Sequence, residues 1–163
     1  MGIREQIEPC GFLGLRGTED IIERTPPKVL IKHIRGIIYP LKDNLQTLDD
    51  EICIKTINVI LSLAKKSDGI AEAFVPLFNI LLPSVDVLRN KHEVGARKPK
   101  NRRPMSAVPV EKKFVKLVDL KRQNVNIGQL VQTMLEYFER HGGLYAYVTI
   151  KKLMPKYESC LFS

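Results

Sequence analysis

Tryptophan is absent from this chain of 163 residues, and aromatic residues make up only 7% of it. Its three cysteines, Cys10, Cys53 and Cys160, are odd in number and far apart. That pattern fits neither a disulfide-stapled secreted module nor a cysteine-based zinc site, and it points to a reducing compartment. Long apolar runs are missing too. Leu77–Val85 is interrupted by Asn79, Pro83 and Ser84, far short of the roughly 18 apolar residues of a spanning helix, so no membrane is expected. The opening Met1-Gly2-Ile3-Arg4-Glu5-Gln6 resembles no signal peptide and lacks the Ser or Thr a myristoylation signal wants at position 6. The 44% apolar content is enough to fill one domain's core and argues against wholesale disorder.

What the chain has in excess is positive charge, with 26 Lys and Arg against 18 Asp and Glu, net +8. The excess is concentrated. Arg89–Arg122 holds twelve basic residues against Glu93, Glu111 and Asp119, a net of +9, and the remainder nets −1. This stretch contains Pro99, Pro104 and Pro109, and its centre, Arg97 to Pro104, has no helical or strand period. It reads as an extended linker over about 93–112 that stays out of the core. Three roles remain open for it: a solvated loop, an electrostatic contact to an acidic surface, or a nuclear-localisation signal. An acidic protein surface, nucleic acid or an anionic membrane would each attract such charge.

The rest is helical. Pro26-Pro27 suits a helix start, and Leu30, Ile34, Ile37, Leu41, Leu45 and Leu48 then recur every three or four residues. Pro40 within this stripe predicts a bend or a fresh start near Ile37. Asp49 or Asp50 caps a second helix bearing Ile52, Cys53, Thr56, Ile57, Ile60, Leu61 and Ala64, which stops at Lys65-Lys66-Ser67. A third runs from about Gly69 to Leu88 with breaks at Pro76 and Pro83. The clearest begins after Asn126 and carries Ile127, Leu130, Val131, Met134, Leu135 and Phe138, ending at a left-handed Gly142-Gly143 stop. Gln129, Gln132, Glu136 and Arg140 lie off that face, the last two spaced for an exposed ion pair. A short helix before Pro155 follows. The apolar tail from Tyr157 to Phe162 is expected to fold back onto the body.

Two internal alignments organise these helices. Ile37–Leu45 lies over Ile80–Leu88 at an offset of 43, proline on proline, and Thr56-Ile57, Ile60-Leu61 and Gly69 lie over Leu130-Val131, Met134-Leu135 and Gly143 at an offset of 74. Periods near 40–47 residues indicate HEAT or armadillo repeats, in which each helical pair covers its neighbour's apolar face. The fold class is therefore read as all-α, a HEAT/armadillo-like α-solenoid of stacked helical pairs with a long basic loop. A plain helical bundle with prolines is the competing reading. Residues 1–25 form an N-terminal arm, and 26–163 a helical-repeat domain interrupted by the basic linker at about 90–123.

Chemistry is not in view. His33, His92 and His141 share no metal-ligand spacing, and His141 reads as a basic group near a helix C-terminus. Gly11, Gly14 and Gly17 do not make a phosphate loop, and Asp49-Asp50-Glu51 is an acidic helix start rather than a calcium loop. Cys160 is the nearest thing to a catalytic cysteine, with no base beside it in sequence. No catalytic residue, cofactor or metal site is assigned. A nucleic-acid-binding role has only the basic segment in its favour, without interleaved aromatics for base stacking, and is disfavoured.

The stretches Asn126–Glu136, Phe138–Gly143 and Pro155–Leu161 resemble the C-terminal signature of the parkin co-regulated protein family, and Val29–Asn90 resembles that family's helical repeats. The resemblance implies an α-solenoid without catalytic activity or cofactor. It implies a structural component of the axoneme of cilia and flagella, a cytoskeletal, cytoplasmic assembly, at the inner junction between A- and B-tubules. Tubulin, other inner-junction proteins and microtubule inner proteins are the implied partners. Glu139, Arg140, Gly142 and Gly143 match the family's helix end, and Tyr157, Glu158, Ser159, Cys160 and Leu161 its terminus. Two departures mark a divergent or N-terminally shortened member: about 25 residues precede Pro26-Pro27, and the Arg97–Arg103 cluster is stronger than in the family. Arg97, Lys98, Lys100, Arg102 and Arg103 are the expected contacts to the acidic tubulin surface. A basic nucleic-acid-binding or general protein-interaction scaffold is the alternative.

Overall fold

The computed structural model describes residues 10–95 and 126–161. These form seven α-helices and no strand: α1 (Cys10–Arg24), α2 (Pro27–Leu45), α3 (Asp50–Lys65), α4 (Asp68–Phe74), α5 (Phe78–Gly95), α6 (Ile127–His141) and α7 (Ala146–Leu153). A 3-10 turn, Val75–Leu77, joins α4 to α5. An all-α fold of packed helices is thus in place.

Proline placement separates the helices only in part. Pro76 lacks an N–H and crowds the preceding turn, so α4 ends at Phe74 and the chain tightens into the 3-10 turn. Pro40 and Pro83, expected to interrupt, instead lie within continuous helices. Residues on both sides of each are fully or nearly fully buried, Ile38 and Leu41 around one, Leu82 and Val85 around the other, and that burial holds the turns together despite the lost hydrogen bond. The third expected helix is therefore two helices, and its second part runs on to Gly95 rather than stopping at Leu88. On α2, which packs on α3, α4 and α5, the buried row is Leu30, Ile34, Ile38, Leu41, Asn44 and Leu45, and Ile37 is only half-buried. Leu48 lies past the helix, with φ of 54°, in the turn that leads to α3.

Caps define the ends. Asp49 accepts from the N–H groups of Glu51 and Ile52 at 3.0 and 3.1 Å, and Asn126 accepts from Gly128 N–H at 2.9 Å. Lysines serve other orphan carbonyls. Lys66 Nζ donates to the carbonyls of Ile22 and Glu23 at the end of α1, the latter at 2.7 Å. Lys91 Nζ reaches from α5 to Leu48 O at 2.7 Å and Asp50 at 3.0 Å, bracing the α2–α3 turn. Helix α1 adds Leu15 and Ile22 to the core.

Helices related by the internal alignments pack on each other: α2 against α5, and α3 against α6. Consecutive helices also pair, α2 with α3 and α5 with α6. The offsets of 43 and 74 differ by 31, the number of residues from 96 to 126 between α5 and α6. Aligned positions share the core, with Ile57 and Ile60 on α3 and Val131 and Met134 on α6 all fully buried. At its centre the Phe138 ring meets Phe74 at 5.3 Å and Phe78 edge-on at 5.2 Å, so three elements converge on one side chain. The run Asp68–Lys91 is apolar and long enough to cross a membrane, with hydropathy 1.5, but 56% of that window is buried inside the protein, as core helices are.

Phe138→Ala should lower the unfolding free energy by about 3–5 kcal/mol in urea titrations, since the cavity would open between three helices. A loss below about 1 kcal/mol would contradict Phe138's central position.

Candidate functional site

The C-terminal residues singled out in the sequence come together around one carboxylate. Val131, Leu135 and Glu139 are spaced by four, so α6 carries Glu139 onto its core-facing side, next to Phe138. Glu139 is only 5% exposed. A buried carboxylate needs donors, and the returning tail supplies them. Tyr157 O–H donates to Oε2 at 2.7 Å, Cys160 N–H to the same oxygen at 2.9 Å, and the Cys160 thiol at 3.1 Å. Ser159 O–H donates to Oε1. Lys151 Nζ ties the start of the tail by donating to Pro155 O at 2.8 Å and Tyr157 O at 2.7 Å, and Lys156 Nζ reaches Asn90 on α5 at 3.2 Å. The tail folds back as far as Cys160, with Tyr157 fully buried, whereas Leu161 is 56% exposed and Phe162 lies outside the described residues.

Electrostatics follow from this arrangement. Burial pushes the Glu139 carboxyl up, but hydrogen bonds from Ser159, Cys160 and Tyr157 outweigh it and hold it at about 2. Burial and the adjacent Glu139 push the Tyr157 phenol up. The Cys160 thiol is raised by burial first and then by its bond to Glu139. A nucleophilic cysteine needs the opposite shift, so the one candidate nucleophile in the sequence is held as a thiol and serves as a donor. Cys53, pushed up to about 11 by burial and by Asp50 and Asp49, is equally inert.

The glycine stop is half as expected. Gly143 has φ of +77°, but Gly142 has φ of −86°. Gly142 is required for space instead: a Cβ there would sit 2.5 Å from Phe138 O, 2.9 Å from Ala146 Cβ and 3.1 Å from Val75. Of the residues matched to the family's helix end and terminus, Glu139, Gly142, Gly143, Tyr157, Ser159 and Cys160 therefore shape the fold, whereas Arg140, Glu158 and Leu161 are exposed. Glu136 accepts from Gln132 Nε2 at 3.0 Å. His141 pairs with Asp68 at 2.9 Å and stacks on Tyr137 at 4.3 Å, linking α6 to α4, and His33 is exposed. Among the described residues no three His, Cys, Asp or Glu side chains gather as a metal site would require. Arg97, Lys98, Lys100, Arg102 and Arg103 lie outside the described residues, as does most of the basic linker. The signal for Glu139 was its four-residue spacing from Leu135 and Val131, which the polar side chain masked.

Residues 1–159 match the family profile described as ParcG, Parkin co-regulated protein. Among curated proteins, the mouse Parkin coregulated gene protein homolog is 31% identical over 163 residues. The alignment takes in 99% of this chain and 59% of that relative, so the chain spans about three-fifths of its length.

The folded carboxyl pKa lies below its ordinary value of 4.5, so the tail's grip stabilises the protein fully above about pH 5 and is lost as pH falls toward about 2. Urea unfolding between pH 7 and pH 2.5 should show roughly 3 kcal/mol of acid-sensitive stability that Glu139→Gln removes. The same acid dependence in wild type and variant would contradict this role for Glu139.

Proposed function

Because the chain belongs to the Parkin co-regulated protein family, we propose that it is a non-enzymatic structural component of ciliary and flagellar doublet microtubules, binding tubulin at the inner junction between A- and B-tubules. Supporting this reading most directly is the family match over residues 1–159 in a chain whose excess charge is gathered between Arg89 and Arg122. An acidic polymer surface is the natural counterpart of such a segment, and Arg97, Lys98, Lys100, Arg102 and Arg103 are its contact residues. Individual contacts of this kind are small and screened by salt, so the helical body must add shape-matched contact. Neighbouring inner-junction and microtubule inner proteins are the further partners, and the axoneme is the location.

The body suits a scaffold. Stacking of α2 on α5 and α3 on α6, like on like, supports a HEAT/armadillo-like solenoid whose repeat is interrupted by the basic loop. In this reading residues 26–163 are the helical-repeat domain with the linker at about 90–123. Residues 1–25 are an arm whose helix α1 lies against α3. A thiol pinned to a buried carboxylate fits a structural protein better than a catalytic one.

Deleting residues 97–103 should weaken co-sedimentation with microtubules about tenfold at low salt, with the gap closing as salt rises. Unchanged binding would contradict the tubulin-contact role. Equally strong retention on nonspecific DNA would favour the nucleic-acid-binding or generic polycation alternative.

A further inference from the structure

The balance of charge outside the basic linker hides a second positive surface. Helix α2 has no acidic residue before Asp43, yet it carries Lys28, Lys32, Arg35 and Lys42. With Tyr39, these are spaced by 4, 3, 4 and 3, so they form one row, turned about 120° around the helix from the buried row of Leu30 to Leu45. Lys28, Lys32 and Arg35 are exposed, Tyr39 is 55% exposed, and Lys42 is half-buried. Among the described residues none of the four cations pairs with a carboxylate; the ion pairs form elsewhere, at Glu19, Glu51, Asp50 and Asp68. From residue 28 to 42 the row extends about 21 Å.

At its C-terminal end the row runs into an open groove between α2 and α5, lined by Tyr39 and Lys42 of α2, by Leu48 in the turn after it, and by Ile80, Pro83 and Val87 of α5. Val87 is 53% exposed, a large apolar side chain on the rim. Asp86, its neighbour on α5, is engaged by Asn90 Nδ2 at 3.1 Å. A charged ridge thus leads directly into an apolar groove.

We propose that this face docks an acidic peptide segment of another protein, with carboxylates along Lys28, Lys32 and Arg35 and an apolar anchor residue in the groove beside Tyr39 and Val87. The ridge and groove fit about six residues of extended chain at about 3.3 Å each. This chain's own residues 96–125 are excluded as occupant by charge, because they hold ten basic residues against Glu111 and Asp119. A membrane surface is a poor fit: the apolar face that would insert is consumed by the core, with Leu30, Ile34, Ile38, Leu41 and Leu45 all at most 5% exposed. Nucleic acid is a poor fit as well, since Tyr39 is the one aromatic on the row and bases need stacking platforms. The surface includes none of residues 97–103, and its role does not depend on theirs.

The experiment uses the full chain with Arg97, Lys98, Lys100, Arg102 and Arg103 changed to Gln, so that the linker contributes little and a failure here leaves its own role untouched. Fluorescence anisotropy would follow a labelled oligoglutamate peptide of about ten residues ending in Leu-Phe, and the same peptide without that pair. Adding Lys28→Gln, Lys32→Gln and Arg35→Gln should weaken both peptides about tenfold at low salt, while the conservative Lys28→Arg and Lys32→Arg keep the affinity. Val87→Ser should weaken only the peptide with the apolar pair, by about threefold to tenfold. Circular dichroism should show unchanged helicity in each variant, since Lys28, Lys32, Arg35 and Val87 are exposed. Unchanged binding in the triple variant, equal effects of Val87→Ser on the two peptides, or equally tight binding of single-stranded RNA or phosphatidylserine vesicles would overturn the proposal.

Discussion

A carboxylate buried at the end of α6 must be given donors, and Glu139 takes them from the last residues of the described chain. This requirement closes the fold. It pulls the segment after α7 back across α6, seats Tyr157 in the core, and fixes Cys160 beside Arg140. Without such donors the ionised group could not stay where the spacing of Val131, Leu135 and Glu139 puts it. The same contacts turn the only candidate nucleophile into a structural donor, so the feature that completes the body also removes its one hint of catalysis.

Helix α6 holds a comparable position in the apolar core. It lies 31 residues of sequence beyond α5 yet packs on α3, α4, α5 and α7, with Phe138 between Phe74 and Phe78. Lysines stabilise the periphery by a different route: Lys66, Lys91 and Lys151 each donate to two groups, mostly backbone carbonyls left open at helix ends or turns. These positive charges are taken up within the fold. The cations of α2 are not, and this distinction, invisible in a net charge, separates structural from outward-facing lysines.

Most helices were legible in the sequence because periodicity and caps act locally. Asp49, Asn126 and the Pro26-Pro27 start lie where the hydrogen-bonding needs of a helix end put them. Prolines were read too literally. Pro76 broke its helix while Pro40 and Pro83 did not, since surrounding burial, a tertiary property, decides whether the lost bond is tolerated. Leu48 and Gly142 were misjudged for related reasons: one sits in a turn braced by Lys91, and the other is dictated by close approach to Ala146 and Val75 rather than by φ. Glu139 belongs to the family signature, but its burial depends on donors from a tail eighteen or more residues away, which no local pattern shows. The outer row of α2 is hidden in a charge sum along the chain and emerges only when charge is placed around the helix.

In the function proposed above, which draws on family membership and charge distribution, the helical body presents basic residues to an acidic polymer and its neighbours. The most direct test is a density map of an intact doublet microtubule at side-chain resolution. The account predicts this chain at the seam between A- and B-tubules, with residues 97–103 against acidic tubulin side chains and the Glu139-bound tail folded inward. A map that places it away from that seam, or that shows residues 97–103 facing no acidic groups, would contradict it.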